Sequence, residues 1–104
     1  MATVELTAEN FASTIENSDT LFIDFWAAWC GPCRMFAPVF EGAAEKHADA
    51  TFAKLDTEAE QQIAGRYGIR GIPTMILFRS GKEIARTSGA MPAAQIAQWA
   101  RSHV

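Results

Sequence analysis

Two thiols separated by two residues can open and close a disulfide within about one helical turn. This sequence holds two cysteines in all, both in Trp29-Cys30-Gly31-Pro32-Cys33. Reversible disulfide exchange needs an attacking thiolate and a second thiol placed to resolve the mixed disulfide. If Cys30 opens a helix, the free N–H groups and the dipole of that helix end favour its thiolate. A structural cross-link is the plainer alternative, but a disulfide stabilises mainly by restricting the unfolded chain. For so short a loop the gain is about 2 kcal/mol, against about 4.7 kcal/mol for a hundred-residue loop. A metal site is the other alternative, and structural zinc takes four ligands at suitable spacing. The remaining soft or borderline candidates are His47, at the far end of the helix that Cys33 enters, and His103 in the C-terminal tail.

Asp24 is the second chemically informative residue, because it interrupts the apolar run Leu21-Phe22-Ile23-Asp24-Phe25-Trp26-Ala27. A carboxylate there is costly unless it is paired or protonated. Desolvation raises its pKa above the usual value of roughly 3.9. The native state then holds the proton more tightly, so ionisation costs stability as pH rises through the folded pKa. A satisfied carboxyl near a strand end is the competing reading. Pro73, in Gly71-Ile72-Pro73-Thr74, can likewise be an ordinary proline at a strand start.

The elements that must position these residues follow from periodicity. Val4 to Leu6 reads as a short first strand. Thr7 is a good N-cap, with Leu6 and Phe11 as a hydrophobic staple and Phe11, Ala12 and Ile15 on one apolar face. Asn17-Ser18-Asp19 ends that helix. Leu21 to Ala27 is the near-continuous apolar run of a central strand. From Cys33 to His47, the residues Phe36, Val39, Phe40, Ala43 and Ala44 follow helical spacing, and Pro38 predicts a kink. Thr51 to Asp56 is a third strand. Thr57-Glu58-Ala59-Glu60 reads as a capping box for a helix running to Tyr67, with Gly68 past its end. Thr74 to Arg79 and Glu83 to Thr87 form a hairpin through Ser80-Gly81, and Pro92 opens a last helix buried through Ile96, Trp99 and Ala100.

The order βαβαβαββα predicts an α/β fold with a central five-stranded mixed sheet flanked by four helices, antiparallel only at the final hairpin. At 104 residues the chain is expected to form a single domain over residues 1–104. No apolar run approaches the roughly 20 residues of a membrane span. A net charge of −3 argues against a nucleic-acid partner, which asks for a basic stripe. The start Met1-Ala2-Thr3-Val4-Glu5 lacks the basic and apolar regions of a secretory leader, so a cytoplasmic location is the expectation. In a reducing compartment an accessible CxxC is a working pair rather than a permanent bridge.

Trp29-Cys30-Gly31-Pro32-Cys33, Asp24 six residues before the first cysteine, and Gly71-Ile72-Pro73-Thr74, in this order, closely resemble the thioredoxins. The resemblance extends through Phe25-Trp26-Ala27, Ala53-Lys54-Leu55, Tyr67-Gly68-Ile69-Arg70 and Gly89-Ala90. Arg34, the Thr57–Glu60 stretch and Gly89-Ala90-Met91-Pro92 are more similar to the bacterial thioredoxin 2 subgroup. That subgroup usually carries a zinc-binding N-terminal extension with four further cysteines, none of which occurs here, so metal-linked regulation is not carried over.

The resemblance implies the thioredoxin fold and a thiol–disulfide oxidoreductase that reduces protein disulfides. It implies that Cys30 is the partly exposed nucleophile and Cys33 the buried resolving thiol. Asp24 would assist proton transfer to and from the buried cysteine, with Lys54 as its partner on the neighbouring strand. It implies a cis Ile72–Pro73 bond facing the cysteines, where proline opens a gap in strand pairing and the Ile72 backbone binds an extended substrate segment. Trp29, Gly31, Pro32, Ile72, Pro73, Gly89 and Ala90 would then make a flat, apolar, uncharged docking surface that accepts many partners weakly. Gly31-Pro32 between the cysteines resembles the reducing members of the superfamily. The redox-active disulfide Cys30–Cys33 would serve in place of a bound cofactor. No nucleotide-binding glycine loop is present, so NADPH and flavin would belong to a partner, thioredoxin reductase. The protein would act as a monomer on disulfide-containing target proteins, free of nucleic acid and membrane. Trp26 and Trp99 read as core residues, and His47 and His103 as functionally silent. A disulfide oxidase or isomerase of the same fold, and a binding or assembly subunit with incidental thiols, are the competing functions.

Overall fold

Strand β2, Thr20–Trp26, lies at the centre because both of its faces are apolar, and Leu21 through Phe25 are all buried. Around it the computed structural model, which describes residues 2–102, arranges the other elements in the expected order. These are β1 (Thr3–Glu5), α1 (Phe11–Asn17), α2 (Gly31–Lys46), β3 (Thr51–Asp56), α3 (Gln61–Arg66), β4 (Thr74–Arg79), β5 (Lys82–Ser88) and α4 (Ala93–Ser102). His103 lies outside the described residues. The sheet order is β1-β3-β2-β4-β5. β3 runs parallel to both β1 and β2, whereas β4 runs antiparallel to β2 and β5 antiparallel to β4. Antiparallel pairing therefore begins one strand earlier than predicted. The α3 connection returns β4 against β2 in the reverse sense, and the final hairpin only continues it.

Alternation along β2 divides the core into two layers. Leu21, Ile23 and Phe25 meet Leu6 and Phe11 before and on α1, Ile63 on α3, and Ile76 and Phe78. Phe22 turns the other way, onto Phe36, Phe40, Ala43 and Ala44 of α2 and Ile96 of α4. Phe22 stacks on Phe52 at 4.7 Å between ring centroids, and Phe40 meets Phe52 edge-on at 5.3 Å. By the same alternation Asp24 faces the α2 layer, the side that carries the cysteines.

Several local expectations shift for identifiable reasons. Thr7 caps the turn that leads into α1, its hydroxyl accepting from Glu9 N–H at 3.3 Å and its carbonyl from Phe11 N–H at 3.0 Å. The Asn10 carboxamide folds back onto it, accepting from Thr7 N–H at 2.7 Å and donating to the Glu5 carbonyl at 2.9 Å, so residues 8–10 form a turn and the regular helix starts only at Phe11. Ala12 faces solvent, not the core. Helix α2 begins at Gly31 with Cys30 as its N-cap, and it runs on through Pro38 to Lys46. Pro38 is on the exposed side of the helix, where the Arg34 carbonyl it leaves free can be met by water. Pro92 stands just ahead of α4, its carbonyl accepting from Gln95 and Ile96 N–H. Gly68, with φ +65°, follows α3 as expected, and Ser80 and Gly81 both take positive φ in the hairpin turn.

The capping box at 57–60 does not form. The Thr57 hydroxyl donates to the Trp26 carbonyl at 3.0 Å, and Asp56 caps the turn, its Oδ1 accepting from Glu58 N–H at 2.9 Å and Ala59 N–H at 3.3 Å. Asp56→Ala is accordingly expected to lower the unfolding free energy by about 1 kcal/mol, read from the urea midpoint. Thr57→Ser, which keeps its hydroxyl, should change it by less than about 0.5 kcal/mol.

Candidate redox site

Cys30 and Cys33 are joined in a disulfide at the start of α2. The local sequence enforces this geometry. Cys30 is extended (φ −89°, ψ 111°) as an N-cap must be, Pro32 sits in the first turn where its missing N–H costs nothing, and the Cys30 Sγ accepts the Cys33 N–H at 3.2 Å. That N–H is one of the orphan donors of a helix start, so a thiolate at the same sulfur would be held by a charge-assisted hydrogen bond and by the helix dipole. Cys33, one turn in, is 2% exposed. Cys30 is also buried, at 4%, whereas partial exposure was expected. In the bridged state its sulfur turns inward to Cys33 and packs with Ala27, Trp26 and Ile72.

The segment facing the disulfide contains a cis Ile72–Pro73 bond. Cys30 Sγ lies 3.7 Å from the Ile72 carbonyl oxygen; a bridged sulfur has no proton to donate, so this is contact and not a hydrogen bond. β4 starts at Thr74, which leaves the Ile72 and Pro73 backbone outside the strand ladder. The Pro73 carbonyl accepts instead from Gly89 N–H at 2.8 Å, and Gly89, at φ +93°, adopts a backbone conformation that side chains rarely allow. Ala90 follows it, exposed. Gly31, Pro32, Ile72 and Pro73 thus lie around the cysteines, with Gly89 tied in through Pro73, and Trp29 stands beside Cys30 with 67% of its surface open.

Asp24 is fully buried, and neither carboxylate oxygen has a hydrogen-bond partner. Burial pushes its pKa up to about 7, with the Lys54 charge pulling partly the other way. Lys54 is directly opposite Asp24 in the β2–β3 register. Its ammonium does not close an ion pair with the carboxylate. It lies over the Trp26 ring, 4.9 Å from the centroid, a cation–π contact that keeps the charge near the acid. Asp24 can therefore hold or release a proton near neutral pH.

Three neighbours do not stand out in the sequence. Trp26 reads as a core residue, yet it is half-buried, packs on the cysteines and carries Lys54; its position two residues after Asp24 on the same strand face was the available signal. Met35, 76% exposed, sits one helical turn beyond Gly31 and Pro32. Glu58 accepts from the Trp29 indole N–H at 3.4 Å, and nothing local announces that contact. The surface around the cysteines, expected to be uncharged, is apolar in its centre but carries Arg34 and Glu58 at its border. Among the described residues no group of three or more His, Cys, Asp or Glu side chains could hold a metal ion, and His47 instead stacks on Phe52 at 6.5 Å. No helix among them is long and apolar enough to cross a membrane.

The thioredoxin family model matches residues 2–102. The chain is 46% identical over 95 residues to a putative thioredoxin 2 of Streptomyces coelicolor, covering 91% of this chain and 71% of that one. It is also 46% identical over 96 residues to a thioredoxin of Alicyclobacillus acidocaldarius, covering 91% of each chain. Among solved structures, a single-substitution mutant of the thioredoxin from Halobacterium salinarum superposes with a TM-score of 0.89 at 32% identity, covering 97% of this chain and 89% of that one. A bridged cysteine pair on this fold, with likeness running nearly end to end, decides the matter: the chain belongs to the thioredoxin family and is a protein thiol–disulfide oxidoreductase.

Proposed function

We propose that the protein is a general reductant of protein disulfides, working as a single-domain monomer in the cytoplasm and regenerated by NADPH-dependent thioredoxin reductase. The observation that carries the division of labour is Cys30 as N-cap, its sulfur accepting the Cys33 N–H, with Cys33 one turn deeper. In the reduced protein the Cys30 thiolate attacks one sulfur of a target disulfide and expels the other as a thiolate. Cys33, giving its proton to Asp24, then attacks the Cys30 sulfur. The second target sulfur leaves as a thiolate, and the Cys30–Cys33 bridge is restored. Two electrons pass to the target, which takes up two protons. The reductase dithiol reverses the exchange with electrons from NADPH.

Lys54, held on Trp26, modulates how readily Asp24 takes that proton. Trp29, Gly31, Pro32, Ile72, Pro73, Gly89 and Ala90 receive the target. An extended segment hydrogen-bonds the Ile72 backbone left outside the strand ladder, a short form of β-augmentation that tolerates varied side chains.

Insulin reduction coupled to NADPH and thioredoxin reductase tests the reading. Wild type is expected to sustain NADPH consumption, and Cys30→Ser to reduce it to background. An assembly subunit with incidental thiols would give background in both forms. An oxidase, with its higher potential, would equilibrate with glutathione as the dithiol under conditions where a reductant is still the disulfide.

A further inference from the structure

The two charges that border the apolar centre are both fixed in place. Arg34 donates from Nη1 to the Ala28 carbonyl at 2.8 Å, reaching six residues back across the turn that carries Trp29 and Cys30. Its other terminal nitrogen passes 4.0 Å from where a Cβ on Gly31 would stand. Glu58 is held by the Trp29 indole N–H at 3.4 Å, and its own N–H by Asp56 at 2.9 Å. Arg34 and Glu58 are exposed, and among the described residues neither forms an ion pair. They come from different sides. Arg34 belongs to α2, packed on one face of the sheet, and Glu58 to the turn entering α3, packed on the other. The Trp29–Cys30 loop therefore runs between a fixed cation and a fixed anion, with the exposed indole between them.

We propose that this border selects targets by charge order: the favoured target segment carries a carboxylate on the α2 side of its reactive cysteine and an ammonium or guanidinium on the α3 side. The inference rests on the docking surface proposed above and names a substrate preference within it. Preformed donors and acceptors lose little entropy on binding, and an unpaired fixed charge gains from an opposite one. Exposed pairs are weak and screened by salt, so the effect is on capture rather than on exchange.

The test uses synthetic peptides with one intramolecular disulfide, whose reactive cysteine is flanked by Glu and Lys, by Lys and Glu, or by two Gln. Each is reduced in single turnover by pre-reduced protein, giving a half-saturation concentration and a limiting rate. At low salt one charged order is expected to half-saturate about fivefold lower than the other, with the Gln peptide between them and limiting rates nearly equal. At about 0.5 M salt the three should converge. Arg34→Gln and Glu58→Gln should each remove about half of the preference, and Arg34→Glu combined with Glu58→Lys should reverse it. Equal half-saturation for both orders at low salt, or an order that the double charge swap leaves unreversed, overturns the proposal. Trp29→Ala with the Gln peptide separates the two readings. A raised half-saturation there with no order preference in wild type removes only the charge selection, whereas no change there removes the docking surface itself.

Discussion

Asp24→Asn is expected to stabilise the fold by about 2–3 kcal/mol at pH 8 while slowing disulfide exchange at least about tenfold. The carboxyl is fully buried without a hydrogen-bond partner, and burial raises its pKa to about 7. In the unfolded chain the same group ionises near 3.9, so keeping it ionised in the native state costs about 4 kcal/mol. A neutral amide removes that cost and returns about 1–2 kcal/mol of it as an unpartnered polar group. Folding raises this pKa, so the native state binds the extra proton between the two values. The stability linked to it is complete below about pH 4, is lost progressively as pH rises to about 7, and is gone above that. The variant should thus be about 1–2 kcal/mol less stable than wild type at pH 4, cross it as pH rises, and be the more stable form by pH 8, in urea titrations at a series of pH values. The kinetic half of the expectation has the same origin, since an amide cannot take the Cys33 proton, and general-base assistance of this kind contributes roughly a hundredfold or more. A variant that is less stable at pH 8 yet fully active contradicts both halves.

Cys33→Ser is expected to abolish catalytic turnover while leaving the first attack intact. Cys30 keeps its place as N-cap at the start of α2, so its thiolate retains the dipole and the neighbouring N–H. Serine at position 33 cannot displace the target, and the reaction stops at a mixed disulfide. Mixing the reduced variant with excess disulfide substrate should release at most one equivalent of target thiol per protein. Steady-state insulin reduction should fall by about a thousandfold or more. A variant that turns over repeatedly would mean that an outside thiol, rather than Cys33, resolves the intermediate.

The chemistry in this chain was more legible than its surroundings. Cys30 and Cys33 stand out because their spacing falls between an apolar strand and a helix, and Asp24 because it interrupts a near-continuous apolar run. The nine elements could be read in order because each carries its own periodicity or turn chemistry. Sheet order could not, since the pairing of β4 with β2 is settled by packing between distant segments. The caps show the same limit at short range. Thr57 and Asp56 are both good residues to start a helix, and the choice between them falls to the Trp26 carbonyl, 31 residues away, which claims the Thr57 hydroxyl. Lys54 was found through family resemblance, but its seat on Trp26 needed the β2–β3 register. In the sequence Arg34 is only a point of likeness to a subgroup and Glu58 part of a capping-box pattern, and only the folded loop brings both against Trp29 and its neighbours.

The assignment of attack to Cys30 and release to Cys33 is tested most directly by mapping the trapped complex. Reduced Cys33→Ser and Cys30→Ser proteins are each mixed with insulin, quenched with acid, and the linked sulfurs identified by peptide mass mapping. Cys33→Ser should accumulate close to one equivalent of adduct, joined through Cys30. Cys30→Ser should give little, because its remaining thiol is 2% exposed and lies one turn inside the helix. Adduct forming on Cys33 as fast as on Cys30 would contradict the account.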